Sequence, residues 1–127
     1  MNYKHFKLEE FDSPDAPGSG KQMSPEFVRM LDEARAIAGV PFKISKGGGF
    51  RTKEYNKALL QRNRHASPTS SHMKGLAADI LVTDNRTRAL IVQALIRVKF
   101  NRIGIAPTFI HVDDDPAKPE DMLWVYI

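Results

Sequence analysis

The chain has 127 residues, 42% hydrophobic and 27% charged, which suits one domain over residues 1–127 with a single core. It contains no cysteine, so disulfides and thiolate ligands are excluded, and any metal must rest on His, Asp and Glu. The net charge of +4 favours anionic partners such as nucleic acid or acidic wall polymers, but a plain solvated surface explains the scattered charges equally well.

No apolar run approaches the ~20 residues that span a bilayer, so no membrane partner is expected. The first ten residues mix basic, apolar and acidic side chains and lack the apolar core and cleavage site of a secretory signal. The expectation is a protein that acts where it is made or leaves by another route, such as cell lysis.

In chain order, Tyr3 to Phe11 predicts a short strand or turn, followed by a loop rich in Pro and Gly from Asp12 to Gly20. Ser24 and Pro25 open a helix, with Ser24 as N-cap, and Gly39 closes it. Phe27, Leu31, Ala34 and Ala38 recur at helical spacing along it, as a core face does. Val40 to Ser45 predicts a strand that leads into Lys46-Gly47-Gly48-Gly49-Phe50-Arg51. The three glycines permit a sharp turn or close approach, but no Gly-Lys-Ser/Thr follows to make a phosphate-binding loop.

Thr52 caps a second helix, Lys53 to about Asn63, which leaves Arg51 at a strand-to-helix corner. That corner suits a guanidinium offered to a carboxylate, or a surface arginine in an ion pair. A loop from His65 to Ser71 delivers the chain to His72, and Ala77 to Val82 predicts a buried strand. A third helix, capped within Thr83 to Asn85, runs to about Lys99 with Leu90, Ile91, Ala94, Leu95 and Val98 inward. Arg102–Ala106 and Phe109–Asp113 follow as two strands, or one bent strand, broken at Pro107. A loop precedes the last strand, Met122 to Ile127. The fold class expected is α+β, a small antiparallel sheet with about three helices packed to one side.

Asp79 is the oddity in this pattern, a carboxylate inside an apolar strand. Such a group is costly to bury unless paired or bound to metal. His72, Asp79 and His111 together offer an N,N,O ligand set with one position open, as in a catalytic zinc site. Strand alternation puts His111 and Asp113 on one side and Ile110 and Val112 on the other. A calcium site on Asp113, Asp114 and Asp115 is a rival, but the EF-hand spacing and its terminal Glu are absent.

Ser70-Ser71-His72-Met73-Lys74-Gly75-Leu76-Ala77-Ala78-Asp79, followed by Phe109-Ile110-His111-Val112-Asp113, resembles the zinc D-Ala-D-Ala carboxypeptidase family, peptidase family M15. The similarity is closest to its short, single-domain members from bacterial and phage genomes. Phe6 to Phe11, Phe50 to Asn56 and Leu123 to Tyr126 match further family segments. The resemblance implies a hedgehog/DD-peptidase fold, with zinc held by His72, Asp79 and His111. It implies cleavage of peptide bonds in peptidoglycan stem peptides, of D,D- or L,D-type, by a carboxypeptidase or endopeptidase. In that chemistry zinc lowers the pKa of a water and polarises the scissile carbonyl, while a nearby carboxylate moves the proton. Arg51 would bind substrate or stabilise the oxyanion, and Ser70 and Ser71 would hydrogen-bond the peptide or orient ligands.

Two departures stand out. Thr108 occupies the place, three before the second histidine, where several branches of the family carry the catalytic acid. Asp113 is the nearest substitute, either as the base or as the partner that fixes the tautomer of a zinc-bound histidine. Lys46 to Gly49 also replaces a shorter Ser-Gly turn before Arg51. The missing acid keeps a second expectation in view, a non-catalytic zinc-containing wall-binding module of the same fold. Nucleic acid is not expected as a partner, because no basic face with interleaved aromatics is present. A monomer is expected.

Overall fold

The computed structural model describes residues 2–62 and 66–126. Asn63, the end expected for the second helix, His65, which opens the expected loop, and Ile127, the end expected for the last strand, lie outside them. Three helices form where caps and apolar periodicity place them: α1 (Pro25–Ala38), α2 (Lys53–Gln61) and α3 (Asn85–Arg97). Each starts on a side-chain oxygen that accepts an otherwise unpaired backbone N–H: Ser24 from Phe27, Thr52 from Tyr55 and Asp84 from Thr87. Gly39 ends α1 in the left-handed conformation.

Five strands, β1 (Lys43–Ile44), β2 (Ala77–Leu81), β3 (Arg102–Ile105), β4 (Phe109–Asp113) and β5 (Met122–Val125), make one sheet in the order β1-β2-β4-β3-β5. All neighbours are antiparallel except β3 and β5, which run parallel. The loop after β4 is long enough to carry the chain round to the far side of β3, so β5 enters in the same direction as β3. The segment Tyr3–Phe11 resolves as a short 3-10 turn over Leu8–Phe11, and two more such turns, Ser19–Gln22 and Ser71–Lys74, interrupt the loops before α1 and β2.

The sheet has two chemically different faces. Ala78, Ile80, Ile103, Ile110 and Val112 point to one side, where they pack with Phe27, Val28 and Leu31 of α1 and Ile91 and Leu95 of α3. Burying such aliphatic side chains stabilises the fold by about 1.5–3 kcal/mol each. The other face carries Asp79 directly opposite His111, with Ala77 opposite Asp113. Gly104 lies opposite His111 on its other flank, and Trp124 beside Gly104. A Cβ at Gly104 would stand 2.5 Å from the Trp124 indole, so glycine is what lets the ring lie over the strand toward His111.

The glycine run of Lys46 to Phe50 makes its close approach to the protein's own backbone. The Gly48 carbonyl accepts from Asp79 N–H at 2.8 Å, and Phe50 N–H donates to the Phe11 carbonyl at 2.8 Å. A Cβ at Gly49 would meet the Phe11 Cα at 2.5 Å and its carbonyl oxygen at 2.7 Å. Gly49→Ala therefore forces two backbones apart, with an expected stability loss of about 1–3 kcal/mol in urea unfolding. Unchanged stability would contradict this account of the turn.

Candidate metal centre

His72, Asp79 and His111 are brought together, each at most 8% exposed, and one donor atom of each lies within 4.8 Å of the others. β2 and β4 deliver Asp79 and His111 by direct cross-strand pairing. The turn Ser71–Lys74 delivers His72, and Ser70 holds that turn by accepting from His72 N–H at 3.2 Å.

The hydrogen bonds around the two rings decide what they offer the centre. His72 Nδ1 lies 2.9 Å from the Gly49 carbonyl, which only accepts, so Nδ1 carries the proton and Nε2 is left with its lone pair. His111 Nε2 lies 2.7 Å from Asp113 Oδ2, which likewise accepts, so Nδ1 is left with its lone pair. Those two nitrogens face the same oxygen, Asp79 Oδ1, at 3.4 and 3.0 Å. Three acceptors thus converge on one point, an arrangement that calls for a cation between them. The donor set is the one zinc takes in its open sites, and each ring is already oriented by a partner on its far nitrogen.

The titration of these groups follows from the same geometry. Burial opposes ionisation of Asp79, but the two histidines outweigh it and hold the carboxyl far below the usual range. Burial pushes the His72 pKa down despite Asp79. For His111 burial is outweighed by its hydrogen bond to Asp113 and by the negative charge of Asp79, and its pKa is raised.

Arg51 lies inside the site as a buried partner of Asp79. Its Nη2 donates to Asp79 Oδ2 at 3.3 Å and its Nε to the Gly47 carbonyl at 2.7 Å. That fixes the carboxylate so that Oδ1 faces the histidines. Asp113 is 1% exposed, and both its oxygens are engaged. Oδ2 accepts from His111, while Oδ1 accepts from Arg102 Nε at 2.7 Å and from Asp115 N–H at 3.3 Å. Arg102 is itself fixed by the Pro119 carbonyl at 2.6 Å and by the Trp124 ring, 5.2 Å from its guanidinium carbon.

The centre opens on a cleft of about 340 Å³, walled by Tyr55, Trp124 and Tyr126 and by Ser70, Ser71 and Lys118. Ser71 Oγ donates to Asp115 Oδ2 at 2.8 Å and accepts from Lys118 Nζ at 2.8 Å. Arg102 and Lys118 carry no functional expectation from the sequence, and Asp115 carries only that of the rival calcium site. The run Asp113-Asp114-Asp115 reads as a solvated loop, yet Asp115 is 2% exposed. The only hint was the alternation that puts Asp115 in phase with Asp113.

Burial opposes the charge on Asp115, but the Ser71 hydroxyl, the Ala117 N–H and the Lys74 ammonium outweigh it and lower its pKa to about 2. A carboxyl depressed on folding stabilises fully above its unfolded pKa of about 3.9, and the contribution disappears as pH falls through the folded value. In urea unfolding, Asp115→Asn is expected to be less stable than the native chain near neutrality, with the gap closing toward about pH 2. A gap independent of pH would contradict the ionic role.

No curated protein matches the chain at a significant level. Among solved structures it is similar to the crystal structure of the L-Ala D-Glu endopeptidase ChiX of Serratia marcescens, at 22% identity with a TM-score of 0.53. The match covers 61% of this chain and 62% of ChiX, so it spans less than two thirds of that protein. It establishes a shared α+β fold. The model of the Peptidase M15 family matches residues 4–113, a stretch that contains all three converging donors, and the chain belongs to that family.

Proposed function

We propose that the chain is a zinc-dependent peptidase that hydrolyses a peptide bond in peptidoglycan stem peptides, with His72, Asp79 and His111 holding the metal. The observation that carries this reading is the convergence of two imidazole lone pairs on one carboxylate oxygen, each imidazole oriented from behind. Bound there, zinc would supply a water of lowered pKa and a Lewis acid for the carbonyl. The chain's own residues set the stage for it. Gly49 and Asp113 fix the two tautomers, Arg51 turns Asp79, and Ser70 holds the turn that carries His72. The cleft has the size of a small-ligand site and receives a short peptide segment between Ser71 and the aromatic wall. The fold shared with ChiX, described as an L-Ala D-Glu endopeptidase, supports a stem-peptide substrate. Carboxypeptidase and endopeptidase cuts of D,D- or L,D-type are the bonds in question.

In this reading Asp113 holds His111 and does not act as the base, since both its oxygens are engaged and it is sealed from solvent. One observation favours the second reading, a non-catalytic zinc-containing wall-binding module. Among the described residues lining the cleft, the carboxylates are Asp79 and Asp113, and Thr108 is exposed outside it. The two readings separate when zinc-loaded protein is incubated with purified muropeptides and the products are weighed. Hydrolysis is expected, with product masses that identify the bond. Unaltered muropeptides would leave the binding module.

A further inference from the structure

Four cations line the cleft: Lys46, Arg51, Arg102 and Lys118. Two are occupied within the site. Arg51 is held by Asp79 and Gly47, and Arg102 by Asp113 and Pro119. Lys46 is exposed on the glycine-rich loop and makes no polar side-chain contact among the described residues. Using it would cost the ordering of a long side chain. Lys118 is different. Its side chain is 24% exposed, and its ammonium is already positioned at 2.8 Å from Ser71 Oγ, one residue from the ligand His72.

Its charge is also incompletely matched. The nearest carboxylate, Asp115, is 3.8 Å from Lys118 Nζ and is taken up by others. Lys74 Nζ reaches both Asp115 oxygens at 3.0 Å, Ser71 donates to one of them, and Ala117 N–H donates to the other at 3.0 Å. Two ammonium groups therefore share one saturated carboxylate, which leaves one surplus positive charge. Lys74 is not among the cleft-lining residues, so Lys118 is the member of the pair that presents this charge to the cleft. A fixed, partly desolvated ammonium with no full counter-charge is built to receive an anion.

We propose that Lys118, steadied by Ser71, is a subsite for a carboxylate of the ligand, so that the cleft selects peptides bearing a free carboxylate close to the metal centre. This rests on reading the cleft as a peptide site. It names a specificity-determining residue in the loop between β4 and β5. Stem peptides supply such groups on γ-linked D-glutamate and at their C-terminus.

The test uses γ-D-glutamyl-L-lysine as the free acid and as its diamide, with binding to the zinc-loaded chain measured by calorimetry. Any pull of the metal on the free acid is common to all variants and cancels in the comparison. Lys118→Met is expected to weaken free-acid binding about tenfold and to leave the diamide unchanged. Lys118→Arg is expected to retain the preference. Lys46→Met, which removes another cation of the cleft and leaves the Lys118–Asp115–Lys74 cluster intact, is also expected to retain it. The proposal is overturned if Lys118→Met weakens both ligands alike, if it weakens neither, if Lys46→Met does the same as Lys118→Met, or if the native chain does not distinguish acid from diamide. Muropeptide cleavage judges the peptidase reading separately, so the two can fail independently.

Discussion

His72→Ala is expected to take the zinc content of the purified chain from one ion to none. Structural zinc sites with four ligands bind with about 10–16 kcal/mol, so one ligand accounts for roughly 3 kcal/mol, or about a hundred- to a thousandfold in affinity. The loss is expected to exceed that average, because three protein donors converge among the described residues. The fold should survive. His72 makes one side-chain hydrogen bond, to the Gly49 carbonyl, outside its contacts in the centre, and the helix-side core does not include it. A far-UV circular dichroism spectrum like that of the native chain, together with absent metal, is the expected pair of results. Full zinc retention by His72→Ala would refute the ligand assignment.

The second large effect is expected at Asp113, and it separates two roles that strand alternation alone leaves equal. Asn has almost the same shape, but it has one acceptor oxygen and one donor nitrogen where Asp113 uses both oxygens as acceptors. If the amide nitrogen faces His111, two donors meet at 2.7 Å, and the imidazole must move its proton to Nδ1. Nδ1 is the atom that faces Asp79, so the lone pair needed for the metal is lost. If the amide flips, the same conflict arises against Arg102 Nε. Asp113→Asn should therefore weaken zinc binding about 10–100-fold, with turnover falling in step. A catalytic base would behave otherwise, with metal retained and turnover lost. Native zinc affinity in Asp113→Asn would return Asp113 to the role of base.

How far the molecule was legible in advance differs by element. The helices were, because capping is local: Ser24, Thr52 and Asp84 each bind a backbone N–H three residues ahead. So were β2 and β4 as strands, with alternation putting His111 and Asp113 on one side; their pairing, which sets Asp79 opposite His111, is what the structure adds. The parallel placement of β5 was not, because a strand's own residues do not encode which edge it joins or in which direction. The position of Arg51 was not either. A strand-to-helix corner is ordinarily exposed, and only the close approach of the glycine run to Phe11 and Asp79 draws that corner inward. Asp115 was misjudged for a related reason. Its partners Ser71 and Lys74 are 44 and 41 residues away, so nothing nearby in the chain signals that it is buried.

Metal and chemistry are joined most directly by titrating zinc into the metal-free chain in the presence of purified muropeptides. Product release is expected to rise with each increment and to saturate at one zinc per chain. Hydrolysis by the metal-free chain, or none at any zinc loading, would contradict the account.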